Sequence, residues 1–146
     1  MPRRFTLPEA QSLIPRLDGL LRRAVEVKAK YQEADQVIQA MSQRVQMMGG
    51  MIVDRDRAVD ASNRRSELAT ELRSIVEEVQ EFGCVVKDLD TGLIDFPTLL
   101  RGEEVYLCWK LGETSIGFWH GVNEGFRGRK SIDQDFLDHH RGDRAQ

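Results

Sequence analysis

The sequence has few of the features that mark secreted, membrane-spanning or disulfide-stabilised proteins. Of its 146 residues only two are cysteine, which is too few for a disulfide framework and typical of a reducing compartment. No apolar run approaches the roughly 20 residues that a membrane span needs, and the N-terminal residues lack the apolar stretch of a signal peptide. We therefore expect a cytoplasmic protein that does not enter a membrane.

An excess of charge of one sign is also missing. The 21 lysines and arginines nearly balance the 24 aspartates and glutamates, which leaves a net charge of −3. This balance excludes a polybasic nucleic-acid coat or an acidic disordered tail as a description of the whole chain. The length fits a single domain, since domains most often have roughly 100–150 residues.

The first third of the chain contains a strict seven-residue repeat. Every seventh residue from Ala10, and every seventh from Leu13 as far as Met48, is apolar or aromatic. This spacing is the a/d seam of a coiled coil, and it predicts one helix over residues 6–48. Thr6 and Glu9 are spaced as a capping box at its start. Pro15 lies on the outer face, where we expect it to bend the helix without interrupting the seam.

A second helix is predicted over residues 52–82, between Gly49-Gly50 and Gly83. The short connection favours an antiparallel helical hairpin. The second helix is too short to reach the first turns of the first one. The apolar residues there, around Ile14 and Leu17, must therefore pack on the rest of the chain.

After Gly83 the apolar period changes to two, which predicts a small antiparallel sheet of three or four strands. Pro97 is expected to end the second strand. The predicted fold class is therefore α+β, a long antiparallel helical hairpin followed by a small sheet packed on its end. Its predicted parts are the hairpin at residues 1–83, the sheet at 84–130 and a frayed or disordered tail at 131–146.

The predicted hairpin around Gly112-Glu113 fixes which side chains share a face. A loop with an even number of residues would place Trp109 and His120 on the core face, and Cys108 and Trp119 on the other. Cys108 and His120 would then point to opposite sides of the sheet. Because a zinc site needs three or four converging ligands, we expect no metal and no cofactor, unless a bulge reverses the register.

Several polar and aromatic residues of the sheet region are candidates for ligand binding, although no catalytic residue can be assigned. Asp95 lies between apolar neighbours, and His120 at the end of an apolar strand is either a boundary histidine or a ligand. Arg127 and Arg129 belong to a basic segment that could hold a phosphate, a carboxylate or single-stranded nucleic acid, or could cap the sheet. The candidate binding residues are Asp95, Tyr106, Glu113, Trp119, His120, Arg127 and Arg129.

Five segments resemble a known family. They are the helix start Thr6-Leu7-Pro8-Glu9-Ala10 and the runs Val86–Pro97, Glu104–Glu113, Ile116–His120 and Gly125–Arg129. Together they are similar to an uncharacterised bacterial family known as domain of unknown function 2203. The resemblance covers residues 4 to about 130 and implies no established activity. Its characteristic polar positions correspond to Asp88, Asp90, Asp95, Cys108, Trp109, Glu113, Trp119, His120 and Arg129.

The leading functional hypothesis is a non-catalytic interaction or ligand-binding module. Its hairpin would form a homodimer or homotetramer, and a different protein could also be a partner. The hypothesis rests on apolar residues beside the seam, which are Ile14, Leu21, Val25, Val37, Ile52, Val59 and Val76. The rival hypothesis is a small enzyme or metal-binding protein that uses Asp95, Glu113, His120 and Arg129. Nucleic-acid binding through residues 127–130 is a third and less favoured alternative.

Overall fold

The computed structural model describes residues 3–47 and 55–143. Two long helices come first, α1 (Leu7–Met47) and α2 (Arg55–Glu81). The remaining elements are β1 (Val85–Asp88), β2 (Leu93–Leu100), β3 (Glu103–Lys110), β4 (Phe118–Gly121), a 3-10 turn (Phe126–Gly128), β5 (Lys130–Ser131), α3 (Gln134–His139) and β6 (His140–Arg141). The predicted Gly49-Gly50 turn, with Met48 and Ile52, lies outside the described residues.

The start of α1 is the predicted capping box. The Thr6 backbone N–H donates to Glu9 Oε1 at 3.0 Å, and the Glu9 N–H donates to Thr6 Oγ1 at 3.2 Å. The first of these hydrogen bonds is the main reason that the pKa of Glu9 lies below its ordinary value. Pro15 lies inside α1 on its exposed face, as the pattern predicts.

The two helices pack against each other in antiparallel fashion. Arg23 pairs with Glu71, and Asp35, further along α1, pairs with Arg65, which lies earlier in α2. The two helices therefore run in opposite directions. All eleven described positions of the heptad seam are buried or half-buried. The seam therefore faces inward, and the predicted antiparallel pairing of two long helices is confirmed.

The sheet is larger than predicted. In the described part of the chain, five antiparallel strands follow the order β1-β2-β3-β4-β5, and a sixth strand, β6, pairs with β2. Pro97 does not end β2, which continues to Leu100. The Pro97 carbonyl accepts from the Phe5 N–H at 2.7 Å on the side away from β3. Since the nitrogen and carbonyl of one strand residue point to the same side, the missing N–H of Pro97 costs the β2–β3 ladder nothing.

One hydrophobic core joins the first turns of α1 to the sheet. Ile14, Leu17 and Leu21 are buried in the same cluster as Phe96 and Trp109. The expectation that the start of α1 packs on the rest of the chain is therefore confirmed. Ile14 and Leu21, predicted to leave apolar surface beside the seam, are instead covered by the sheet. Within the described residues, α1 and α2 are too polar for either to cross a bilayer.

The predicted frayed tail is wrong for residues 131–143. Asp133 caps α3 by accepting from the Phe136 N–H at 2.9 Å, and Phe136 is buried in the main core. The next strand, β6, pairs with β2 at Leu99 and Leu100. A single aromatic residue among acidic and basic neighbours was too weak a pattern to predict this attachment. Residues 144–146 lie outside the described part of the chain.

Candidate functional site

The register of the central strands brings three polar side chains to one face of the sheet. Asp95 on β2 is directly opposite Cys108 on β3, and His120 on β4 is opposite Tyr106. Ile94 and Trp109 belong to the core under α1. Side chains alternate along a strand, so Asp95 and Cys108 point to the face away from the helices.

The predicted face assignment of β4 is therefore wrong. Leu107 is opposite Trp119, so Trp119 lies on the core side and His120 on the side of Cys108. The seven residues 111–117 between β3 and β4 replace the predicted tight turn, and an odd loop reverses the parity. This connection is closed by Glu113, whose carboxylate accepts from the Lys110 N–H at 2.7 Å and whose carbonyl accepts from Trp109 Nε1.

Asp95 and His120 form a buried pair. His120 Nε2 lies 3.0 Å from both carboxylate oxygens of Asp95, and the two residues are 4% and 0% exposed. On the other side of the ring, His120 Nδ1 lies 2.9 Å from the Gly121 carbonyl oxygen. A carbonyl can only accept, so Nδ1 carries a proton. A hydrogen bond between Nε2 and the Asp95 carboxylate then requires one further proton, which either Nε2 or a carboxylate oxygen carries.

Cys108 completes a cluster of three side chains with different donor atoms. A carboxylate oxygen of Asp95, Cys108 Sγ and an imidazole nitrogen of His120 all lie within 4.8 Å of one another. Burial raises the pKa of the Cys108 thiol to about 12, and the charge of Asp95 adds to the rise. The thiol is therefore protonated at neutral pH and is a poor nucleophile. As donors, the three side chains could hold a metal ion.

The cluster is bordered by aromatic rings and by an arginine. The Tyr106 ring lies 5.5 Å from the His120 ring, between ring centroids. The Arg129 guanidinium lies 4.2 Å from the ring centroid of Phe118 and 4.7 Å from that of Phe126. Its Nη2 donates to Glu113 at 2.6 Å and to the Cys108 carbonyl at 3.3 Å. The Nε of Arg129 is buried and has no hydrogen-bond partner among the described residues.

The structure brings most of the predicted binding residues together, but not all. Asp95, Tyr106 and His120 share one face, and the Glu113–Arg129 pair lies beside Cys108. Trp119 does not join Tyr106, because it packs on the other face against Phe136 with 5.3 Å between ring centroids. Arg127 is exposed.

Cys108 is the residue of the cluster that the sequence prediction set aside. The face of β4 depends on whether the loop between β3 and β4 has an even or an odd number of residues. The apolar pattern does not determine where these strands end, so it does not give the length of the loop. The second cysteine, Cys84, is separate from the cluster and its thiol donates to the Val79 carbonyl at 3.3 Å. Burial raises the pKa of Cys84 to about 11.

Comparison with known proteins places the chain in a family without a described activity. No curated protein and no solved structure matches the chain. A family model described as "Uncharacterized conserved protein (DUF2203)" matches residues 3–132, which include both long helices and all three residues of the cluster. The chain therefore belongs to the DUF2203 family of uncharacterised conserved proteins.

Proposed function

We propose that the protein is a non-catalytic interaction module whose helical hairpin self-associates as a coiled-coil bundle into a homodimer or homotetramer. The observation that carries this proposal is the lack of burial in the distal hairpin, defined here as residues 35–47 of α1 and 55–67 of α2. None of these residues is buried, although the seam positions Ile38, Met41 and Val45 lie among them. The sheet covers the hairpin only towards its other end.

Two helices alone cannot enclose an apolar seam on all sides. A second copy of the chain would therefore bury the most additional apolar surface at the distal hairpin. Val37 is 38% exposed and Val59 is 51% exposed. Burial of a fully exposed side chain of this kind stabilises an assembly by about 1.5–3 kcal/mol, and these two partly covered valines contribute a part of that value each. A four-helix bundle formed by two hairpins buries the same kind of seam on all sides.

The charges around this apolar surface suit a partner with the same sequence. Ala34, Val37 and Ala61 line a groove of about 370 Å³, and its border carries the acidic residues Glu33 and Asp60 and the basic residues Arg57 and Arg64. A two-fold axis presents the same patch from both copies. A border with both signs can then place acidic groups of one copy against basic groups of the other.

Catalysis and nucleic-acid binding, which the sequence predicts as alternatives, have less support. An enzyme that uses Asp95, Glu113, His120 and Arg129 would need groups that are free to meet a substrate. Asp95 and His120 are buried and contact each other, and Arg129 is paired with Glu113. A nucleic-acid site over residues 127–130 would need free cations. Arg129 is paired with Glu113, and Lys130 with Glu124 at 2.6 Å.

The proposal includes a cytoplasmic location, which is supported by the fact that both cysteines are free thiols. The bacterial origin implied by the family resemblance stays a prediction.

Sedimentation equilibrium across the micromolar range tests the proposal. We expect a dimer or tetramer for the wild-type chain and a shift towards monomer for Val59→Glu, which places a charge in the proposed interface. Val122→Glu is the matched control, because Val122 is 53% exposed and lies beyond β4, far along the chain from the hairpin. A wild-type chain that is monomeric throughout the range contradicts the proposal, as does equal dissociation by both variants when circular dichroism shows both to be folded.

A further inference from the structure

We propose that Asp95, Cys108 and His120 form a binding site for one divalent transition-metal ion, with zinc as the best-matched ion. This inference goes beyond the self-association of the hairpin and does not depend on it. It rests on the convergence of three different donor atoms at one buried point on the sheet face away from the helices.

The distances fit a metal centre after a small contraction. The three donor atoms lie within 4.8 Å of one another. With metal–ligand bonds of about 2.0–2.3 Å, the donors of a tetrahedral zinc site, here three side chains and one water molecule, lie roughly 3.3–3.8 Å apart. Metal binding therefore requires side-chain movements that shorten the longest separation by about 1.0–1.5 Å. Imidazole nitrogen, thiolate sulfur and carboxylate oxygen are also the donor types that zinc binds.

The surrounding backbone already holds the donors in place. Each comes from a different strand, and the three strands are neighbours in one antiparallel ladder. His120 is oriented by the contact of its Nδ1 with the Gly121 carbonyl, which leaves Nε2 as the donor facing the cluster. A backbone carbonyl on the second nitrogen is the usual arrangement for a histidine that binds a metal.

The charges also balance. With a metal ion bound, one carboxylate, one thiolate and one neutral imidazole carry two negative charges, which a divalent cation neutralises. The occupied site then contains no unpaired buried charge, which would be costly.

Titration of the metal-free chain with Co²⁺ tests this site, because cobalt substitutes for zinc and its absorption reports the ligands. The protein is made without a histidine tag and stripped with a chelator. We expect one Co²⁺ per chain, a sulfur-to-cobalt charge-transfer band, the visible bands of tetrahedral geometry, and loss of all of them when Zn²⁺ is added.

The chain offers a matched control for the sulfur ligand. Cys84 is also a buried free thiol, but it contacts the Val79 carbonyl instead of the cluster. We expect Cys108→Ser to abolish the charge-transfer band and Cys84→Ser to leave it unchanged. Asp95→Asn is the second variant, expected to weaken Co²⁺ binding at least tenfold while keeping the shape of the side chain, and circular dichroism checks that each variant is folded.

Three outcomes overturn the proposal. The first is no cobalt spectrum with the wild-type chain, and the second is a charge-transfer band that survives Cys108→Ser. The third is binding that depends on exposed groups such as His139 and Asp135, which lie 3.2 Å apart between Nδ1 and Oδ1, rather than on the cluster. His139→Asn distinguishes that case, because it removes only an exposed imidazole.

Discussion

His140 Nε2 accepts a hydrogen bond of 3.0 Å from the backbone N–H of Leu7, which lies 133 positions earlier in the chain. On the other side of the ring, Nδ1 faces the Phe136 and Leu137 carbonyls, both at 3.1 Å. Nδ1 therefore carries the proton and Nε2 is free to accept, which makes His140 a neutral cap for the first turn of α1.

Replacement of His140 by alanine tests this cap. The variant leaves the Leu7 N–H without its acceptor and removes the ring that stacks on Phe136 with 5.1 Å between centroids. We expect the free energy of unfolding in urea to fall by about 1–3 kcal/mol. His139→Ala is the control, because His139 is exposed, and a loss of equal size in both variants contradicts the assignment.

Replacement of Phe136 by alanine tests whether residues beyond 131 belong to the folded structure. Phe136 is 1% exposed and lies in the main core, so we expect a loss of about 3–5 kcal/mol in the free energy of unfolding. Its neighbour Leu137 is 40% exposed, and Leu137→Ala is expected to change stability far less. If Phe136→Ala is as mild as Leu137→Ala in urea unfolding, α3 does not contribute to the core.

The capping box predicts that the folded chain loses part of its stability in acid. The pKa of Glu9 in the folded chain lies below its ordinary value of 4.5, chiefly because of the hydrogen bond from the Thr6 N–H. The ionised form therefore stabilises the folded state. This stabilisation is complete when the pH is above the pKa of Glu9 in the unfolded chain. It is lost as the pH falls through the pKa of Glu9 in the folded chain.

The Glu9→Gln variant isolates that component of the pH dependence. Urea unfolding at a series of pH values from 7 down to 3 should show that wild-type stability falls more steeply than that of the variant below about pH 5. Glu78→Gln, an exposed change on α2, is expected to follow the wild type. Parallel wild-type and Glu9→Gln curves contradict the prediction.

Both thiols should react slowly while the chain is folded. Burial raises the pKa of Cys84 to about 11 and that of Cys108 to about 12, so neither is appreciably ionised at pH 8. We expect iodoacetamide to modify almost no thiol in native protein and two thiols in urea-unfolded protein, as measured by mass spectrometry. Rapid native modification of Cys108, with Cys84 as the internal comparison, would show that the cluster is open to solvent.

The parts of the fold that could be predicted from sequence are those encoded by local patterns. A seven-residue apolar repeat determines which face of α1 is buried, and Thr6 and Glu9 are spaced so that each caps the other. Gly83, with a φ of 97°, ends α2 where the sequence predicts a cap, because glycine accepts this backbone conformation readily.

The candidate site could be predicted only in part because it depends on register. Asp95 and His120 were recognised as unusual, and the structure places them in contact. The pattern assigns His120 and Trp119 to the wrong faces, because a loop of odd length reverses every side chain of β4 relative to β3. Pro97 and the tail were missed for a related reason, since contacts with Phe5 and with the core come from distant parts of the chain.

The edge of β2 has a consequence for when the protein can acquire its fold during synthesis. Phe5 near the beginning of the sequence and β6 near its end both hydrogen-bond to this strand. The Asp143 N–H donates to the Arg4 carbonyl, and the Arg4 N–H donates to the Asp143 carboxylate. Contacts between such distant residues form late, because a long loop must close first. The ribosome must therefore have translated almost every residue up to Asp143 before this edge of β2 is covered. Until then the nascent chain exposes an unpaired strand edge, to which chaperones or other nascent chains can bind.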